Sequence, residues 1–273
     1  SDVYFPTNDN TNVETLQFIV TDGRTFTDLQ SRDMKYSVSA DRTGMACQVR
    51  SKARNYRLTT DYITDPARDS VLLRARLDGP RDLKLYVRYD ASINGNGGGG
   101  PQNGGADSAT ADRTALVSSD LNTVTNAPNR DYGVPLHGAL RADRPFKAVN
   151  SGYVGTQTDG LVQLDKSRKI TPNPTATNGN VVQTAQIDGQ EATLALGYGQ
   201  TARQAVNTAG SSLNTPFHKT EDRYIQGWRD YDRKLEPTND WLSVNVLKAS
   251  EDKTFPGAGA AALAFVLGAL WKK

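Results

Sequence analysis

Apolar and polar residues alternate in steps of two along most of this chain, the pattern of strands with one face buried and one wetted. The clearest case is Leu83, Leu85, Val87 and Tyr89, which alternate with Lys84, Tyr86 and Arg88. Just upstream, Val71 to Leu77 forms a strand that turns at Asp78-Gly79-Pro80, and Tyr56 to Thr64 is a β-rich run ending at Asp65-Pro66. Leu16 to Val20 closes at Asp22-Gly23, a strong turn signal. Val3 to Pro6, Met34 to Ser39, Cys47 to Ser51, Thr114 to Ser118, Tyr132 to Leu140 and Lys147 to Thr156 supply shorter extended segments, with a turn at Asp41 to Gly44. Val181 to Ile187 and Thr193 to Tyr198 alternate across Asp188-Gly189. Asn173 to Asn180 reads as a Pro/Asn/Thr loop, and Gly95 to Gly105 as a glycine-rich surface loop. More than ten strands, with turn signals about every eight to twelve residues, predict an all-β domain. The expected architecture is a large two-sheet antiparallel β-sandwich with one or two short helices near the C-terminus.

The period changes after residue 200. Thr201 to Ala209 suits a short helix. Phe217, Tyr224, Trp228, Tyr231 and Leu235 are spaced seven, four, three and four apart, so they share one helical face. Thr215 before Pro216 suits an N-cap followed by proline at the first helical position. This closing helix, 215–235, belongs to a β-sandwich domain spanning 1–236, and its apolar periodicity predicts that Trp228 is core. Residues 237–257 read as a linker, which carries Trp241, and the entrance to another domain. Residues 258–273 form an apolar tail.

With 273 residues the chain has room for one large all-β domain or two small ones. Its net charge of +2 gives no electrostatic reason to invoke nucleic acid. The basic clusters Arg50 to Arg57 and Arg141 to Lys147 are short and read as solvated strand or loop positions. Cys47 is the sole cysteine, so no intrachain disulfide forms. Ser1 opens on strand-like sequence without a signal peptide.

Candidate chemistry is sparse. His137 and His218 lie far apart and have no partners at metal-ligand spacing, so no metal or cofactor is expected. No serine elbow appears, and the glycine-rich loop lacks the lysine and following helix of a phosphate cradle. Of 30 acidic residues only Glu14, Glu191, Glu221, Glu236 and Glu251 are glutamates. Nothing in the pattern designates a carboxylate pair for sugar hydrolysis, so no catalytic residue is assigned. Sugar rings also stack on exposed aromatic faces, which makes Trp241, Tyr153 and Tyr198 the candidate carbohydrate-stacking residues.

Several blocks occur together and in order. They are Val3 to Pro6, Leu16 to Gly23, Tyr62 to Asp69, Tyr153 to Thr156, Gly227-Trp228 with Tyr231-Asp232, and Val246 to Gly257. In this combination the chain resembles the bacterial glucoamylase and glucodextranase family, glycoside hydrolase family 15, from residue 1 to about 257. The resemblance implies an N-terminal accessory domain, the supersandwich, followed by a helical linker and an (α/α)6 barrel that holds both catalytic glutamates. Glu251 matches the domain entrance and is not one of that pair. It also implies an extracellular or periplasmic bacterial protein.

Two departures stand out. The family has further strands before the segment matching Val3, so their absence should leave an unpaired edge. After Gly257 the tail to Lys273 leaves the family pattern and reads as an altered terminus, a frameshifted end or an appended peptide. Phe255 to Trp271 is apolar for 17 residues, the lower end of a membrane span. Its three glycines favour instead a helix that packs on an absent partner.

Three functions follow as expectations. The first is a non-catalytic domain that docks on and stabilises an α-glucan-hydrolysing barrel. The second is an α-glucan-binding module. The third is a self-associating structural protein, joined through the strand edge and the apolar tail.

Overall fold

The computed structural model describes residue 3 and residues 11–40, 45–95, 107–120, 135–235 and 240–251. Fourteen strands run along the described residues: β1 (Thr11–Thr21), β2 (Thr27–Leu29), β3 (Lys35–Ala40), β4 (Cys47–Ala53), β5 (Tyr56–Thr64), β6 (Ser70–Asp78), β7 (Lys84–Gly95), β8 (Asp107–Ala111), β9 (Leu116–Asp120), β10 (Leu136–Ala142), β11 (Ala148–Tyr153), β12 (Thr175–Gly179), β13 (Val181–Gln186) and β14 (Glu191–Gly199). Five helices accompany them: α1 (Gln30–Asp33), α2 (Gly160–Ser167), α3 (Ala202–Leu213), α4 (Phe217–Asp232) and α5 (Trp241–Ala249).

The strands form two antiparallel sheets. One has five strands in the order β11-β13-β7-β1-β2; the other has nine, in the order β12-β8-β9-β10-β14-β6-β5-β4-β3. Each sheet turns one apolar face inward. Phe18, Val20, Leu85, Val87 and Tyr89 of the smaller sheet meet Leu58, Leu73, Leu77, Leu140 and Leu194 of the larger in one cluster. This is the predicted sandwich, and interdigitation of the two inner faces holds it together.

The structure corrects several local expectations. β7 is buried on both faces, because α2 and the segment before it cover its outer side. Its outward Arg88 is therefore sealed in an ion-pair cluster with Asp90 and Asp159. Asn173 to Asn180 is not a loop throughout, since β12 pairs with β8 there. Thr201 caps α3 in a reciprocal capping box with Gln204, and the helix runs on to Leu213. Thr215 does not cap α4; Pro216 stands at the N-cap and its carbonyl accepts from the amides of Lys219 and Thr220. Of Val3 to Pro6 only Val3 is described, its carbonyl accepting from the Asn12 amide. The turn at Asp41 to Gly44, residues 96–105 of the glycine-rich loop, Glu236, residues 252–257 and the tail 258–273 lie outside the described residues. Among the described residues no helix is long and apolar enough to cross a membrane.

Candidate functional site

Two helices lie on the outer face of the larger sheet, and the first is seated by glycines. At Gly197 of β14 a Cβ would stand 2.4 Å from the Ala209 amide nitrogen, and at Gly199 it would stand 2.6 Å from the Gln204 Cβ. The bare backbone lets α3 come down directly onto β14 through the fully buried Ala205 and Ala209. A polar chain locks the far end of α3. Ser70 Oγ and Ser212 Oγ are 2.7 Å apart, and Ser212 Oγ donates to Asp65 Oδ2 at 2.8 Å. Arg68 also reaches Asp65, at 3.0 Å. Burial pushes the Asp65 carboxyl up, but the Ala67 amide, Ser212 and Arg68 outweigh it and hold it below the usual range.

α4 starts in the same layer and then leaves it. Phe217 is buried beneath the Arg74 guanidinium, 4.7 Å from the ring centroid, and Thr220 is buried beside it. One turn on, Tyr224 donates its hydroxyl to the Met45 carbonyl at 3.2 Å. Beyond that, among the described residues, no side chain of α4 is buried. Tyr224, Trp228 and Tyr231 meet edge to face, with centroids 6.3 and 6.1 Å apart, and all three stay half-exposed. Trp228 is therefore not core, although its periodicity is that of a core residue. α5 returns against this ladder, with Lys248 Nζ 5.6 Å from the Tyr231 centroid. Among its described residues only Asn245 is buried, while Trp241, Leu242, Val246 and Leu247 are exposed at 38–51%.

The stacking candidates do not converge. Trp241 opens α5 and is 38% exposed. Tyr153 is half-buried at the end of β11, its hydroxyl donating to the Thr177 carbonyl and accepting from the Thr177 amide. Its ring lies against Gly179, where a Cβ would stand 2.9 Å away. Tyr198 is 3% exposed in the inter-sheet core, so its ring offers no face to a sugar. Burial in that core is what drives its hydroxyl pKa up.

The titratable groups fall into structural roles. His137 Nδ1 is 2.6 Å from Ser119 Oγ across β9 and β10, and burial lowers its pKa. His218 is exposed on the first turn of α4. Glu221 is raised by burial near Arg74 and Asp61, and Glu251 pairs with Lys248. Among the described residues no group of three or more His, Cys, Asp or Glu side chains is arranged to hold a metal. The sequence pattern reads 237–257 as a linker and domain entrance, and the helical linker comes only from the resemblance; the bounds of α5 are not legible because its apolar residues crowd nine positions without a polar face.

Known proteins resemble this arrangement closely. The family model for glucodextranase domain N matches residues 1–233, ending at the last turn of α4. A glucoamylase from Clostridium sp. (strain G0005) is 28% identical over 284 aligned residues, which take in 98% of this chain and 38% of that protein. The crystal structure of a bacterial glucoamylase complexed with acarbose superposes with a TM-score of 0.80 at 27% identity, over 93% of this chain and 38% of that one. A family GH92 inverting mannosidase from Bacteroides thetaiotaomicron shares the fold alone, with a TM-score of 0.56 at 11% identity, over 89% of this chain and 29% of that one. The chain thus spans little more than a third of the length of the glucoamylases it matches.

Proposed function

This chain belongs to the glucodextranase domain N family, and on that premise we propose that it is the non-catalytic N-terminal β-sandwich of a glucoamylase-type α-glucan hydrolase of glycoside hydrolase family 15. In this reading it docks on and stabilises an (α/α)6 catalytic barrel in an exported bacterial protein. One observation carries the proposal. The family match ends at residue 233, just after the half-exposed aromatic ladder of α4 and before the exposed apolar α5, which opens at Trp241. The half-exposed Trp228 and the outward Leu242, Val246 and Leu247 are then the domain's share of a contact with the barrel.

The reading is tested by assaying this chain alone for glucose release from maltose, starch and dextran. No release above the blank is expected. Turnover by the purified chain would overturn the non-catalytic assignment.

A further inference from the structure

The larger sheet ends in an edge whose charge the docking role does not use. β3 is exposed at every position, and its partner register places Lys35 opposite Lys52, which is in turn opposite Arg57 on β5. Three cations thus stand in one row across three strands. Adjacent strands lie about 4.8 Å apart, so the row spans roughly 10 Å. The next row reads Ser37, Arg50, Thr59. Like charges directly opposite one another destabilise a sheet, so folding alone does not favour this arrangement.

On β6 the row continues to the exposed Asp78, opposite Arg57, so three cations face one carboxylate. Neighbouring arginines on the same face are paired: Arg74 and Arg76 both reach Asp61, at 2.9 and 3.4 Å. Among the described residues no carboxylate pairs with Lys35, Arg50, Lys52 or Arg57, in a chain whose overall charge is only +2. These cations line an open groove of ≈ 610 Å³ together with Ser37.

We propose that this β3–β5 groove binds a polyanionic polysaccharide, one that carries an acid group on successive sugar rings. Repeated cations at strand spacing suit a ligand whose charge also repeats. The interleaved Ser37 hydroxyl, exposed in the row beside the cations, suits sugar hydroxyls. A second copy of this chain would bring cations against cations, and a neutral glucan would leave the row uncompensated. The site is separate from α4 and α5, so it does not depend on the docking role proposed above.

Affinity electrophoresis at low salt tests this, with polygalacturonate and dextran sulfate as charged polysaccharides, dextran as the neutral chain and polyglutamate as an acidic chain without sugar. Retardation by one or both charged polysaccharides, with dextran inert and polyglutamate weaker, supports the proposal; the tighter polymer identifies the preferred acid group. Lys35→Ser/Lys52→Ser/Arg57→Ser should weaken that binding about tenfold or more, as expected for three surface charge contacts. Relief of the like-charge row means this variant should melt no lower than the parent. Removing three exposed charges elsewhere, at Lys166, Lys169 and Arg203, should change binding by less than about twofold by the same scale. Absence of binding by the unmodified chain would overturn the proposal, as would equal losses in the two triple variants. Polyglutamate binding as tight as either polysaccharide would point to an acidic polypeptide partner and likewise overturn it.

Discussion

Arg88 on β7 donates from Nη2 to Asp159 Oδ2 at 3.0 Å, joining the middle of the smaller sheet to the N-cap of α2. Its Nη1 donates to Asp90 at 2.9 Å, and all three side chains are buried. The same Asp159 accepts from the amides of Leu161 and Gly155, so one carboxylate caps the helix and holds the strand. The cluster is why the outer face of β7 is dry. Arg88→Met should leave two buried carboxylates without their shared cation, costing about 3–5 kcal/mol. Adding Asp90→Asn and Asp159→Asn to it should recover much of that loss. Urea unfolding of the single and triple variants measures both; equal midpoints would show that the ion pairs do not matter to the fold.

The same cluster makes stability depend on pH with an unusual sign. Burial raises the Asp90 pKa to about 6, against the pull of Arg88. The ordinary unfolded value is about 3.9, so between roughly pH 4 and 6 the unfolded chain has lost this proton and the folded chain retains it. Asp90 therefore withdraws stability as pH rises through that window. Asp65 acts oppositely: its lowered pKa adds stability above the unfolded value, which is lost as pH falls through the folded one. Melting temperature against pH should show Asp90→Asn gaining on the parent from pH 4 to pH 7, and Ser212→Ala losing most of its deficit under acid. A gap that stays constant with pH in either variant would contradict the assignment.

Two glycines should respond in opposite directions. Gly197→Ala drives a methyl against the Ala209 amide and should cost about 1–3 kcal/mol as α3 is pushed off β14. Gly227 lies inside α4 with nothing within 4 Å of an added Cβ. Gly227→Ala should stabilise the helix by about 0.5–1 kcal/mol. Thermal melts of the two variants provide the comparison, and a stabilising Gly197→Ala would refute the close seating of α3.

The apolar residues of α4 and α5 should matter to partnership and little to the fold. Trp228→Ala and Leu247→Ser remove half-exposed or exposed side chains, so each should shift the unfolding free energy of this chain by no more than about 0.5 kcal/mol. A loss near 3 kcal/mol for Trp228→Ala would place its ring in the core after all.

Alternation made most of the sandwich legible. Tyr56 to Thr64 is β5 to the residue, because its inward Leu58 and Thr60 face the second sheet while Arg57 points to water. Asp107–Ala111 and Thr175–Gly179 escaped notice because their strands are built from small and polar residues, held by ladder hydrogen bonds and packed around Ala109 and Ala176. The double burial of β7 was hidden because Arg88 reads as a solvent residue until Asp159, 71 positions away, arrives to pair with it. Trp228 shows the reverse error. Periodicity reports that a helix has an apolar face, but not whether this chain supplies the surface that covers it.

The central claim is that this domain supports a barrel that does the chemistry. Its most direct measurement is the half-life of glucan hydrolysis at elevated temperature by the parent's separately expressed downstream portion, with and without this chain added. The claim predicts activity in the downstream portion, none in this chain, and a half-life lengthened by the mixture but not by a mixture made with Trp228→Ala and Leu247→Ser. An unchanged half-life, or hydrolysis by this chain on its own, would contradict it.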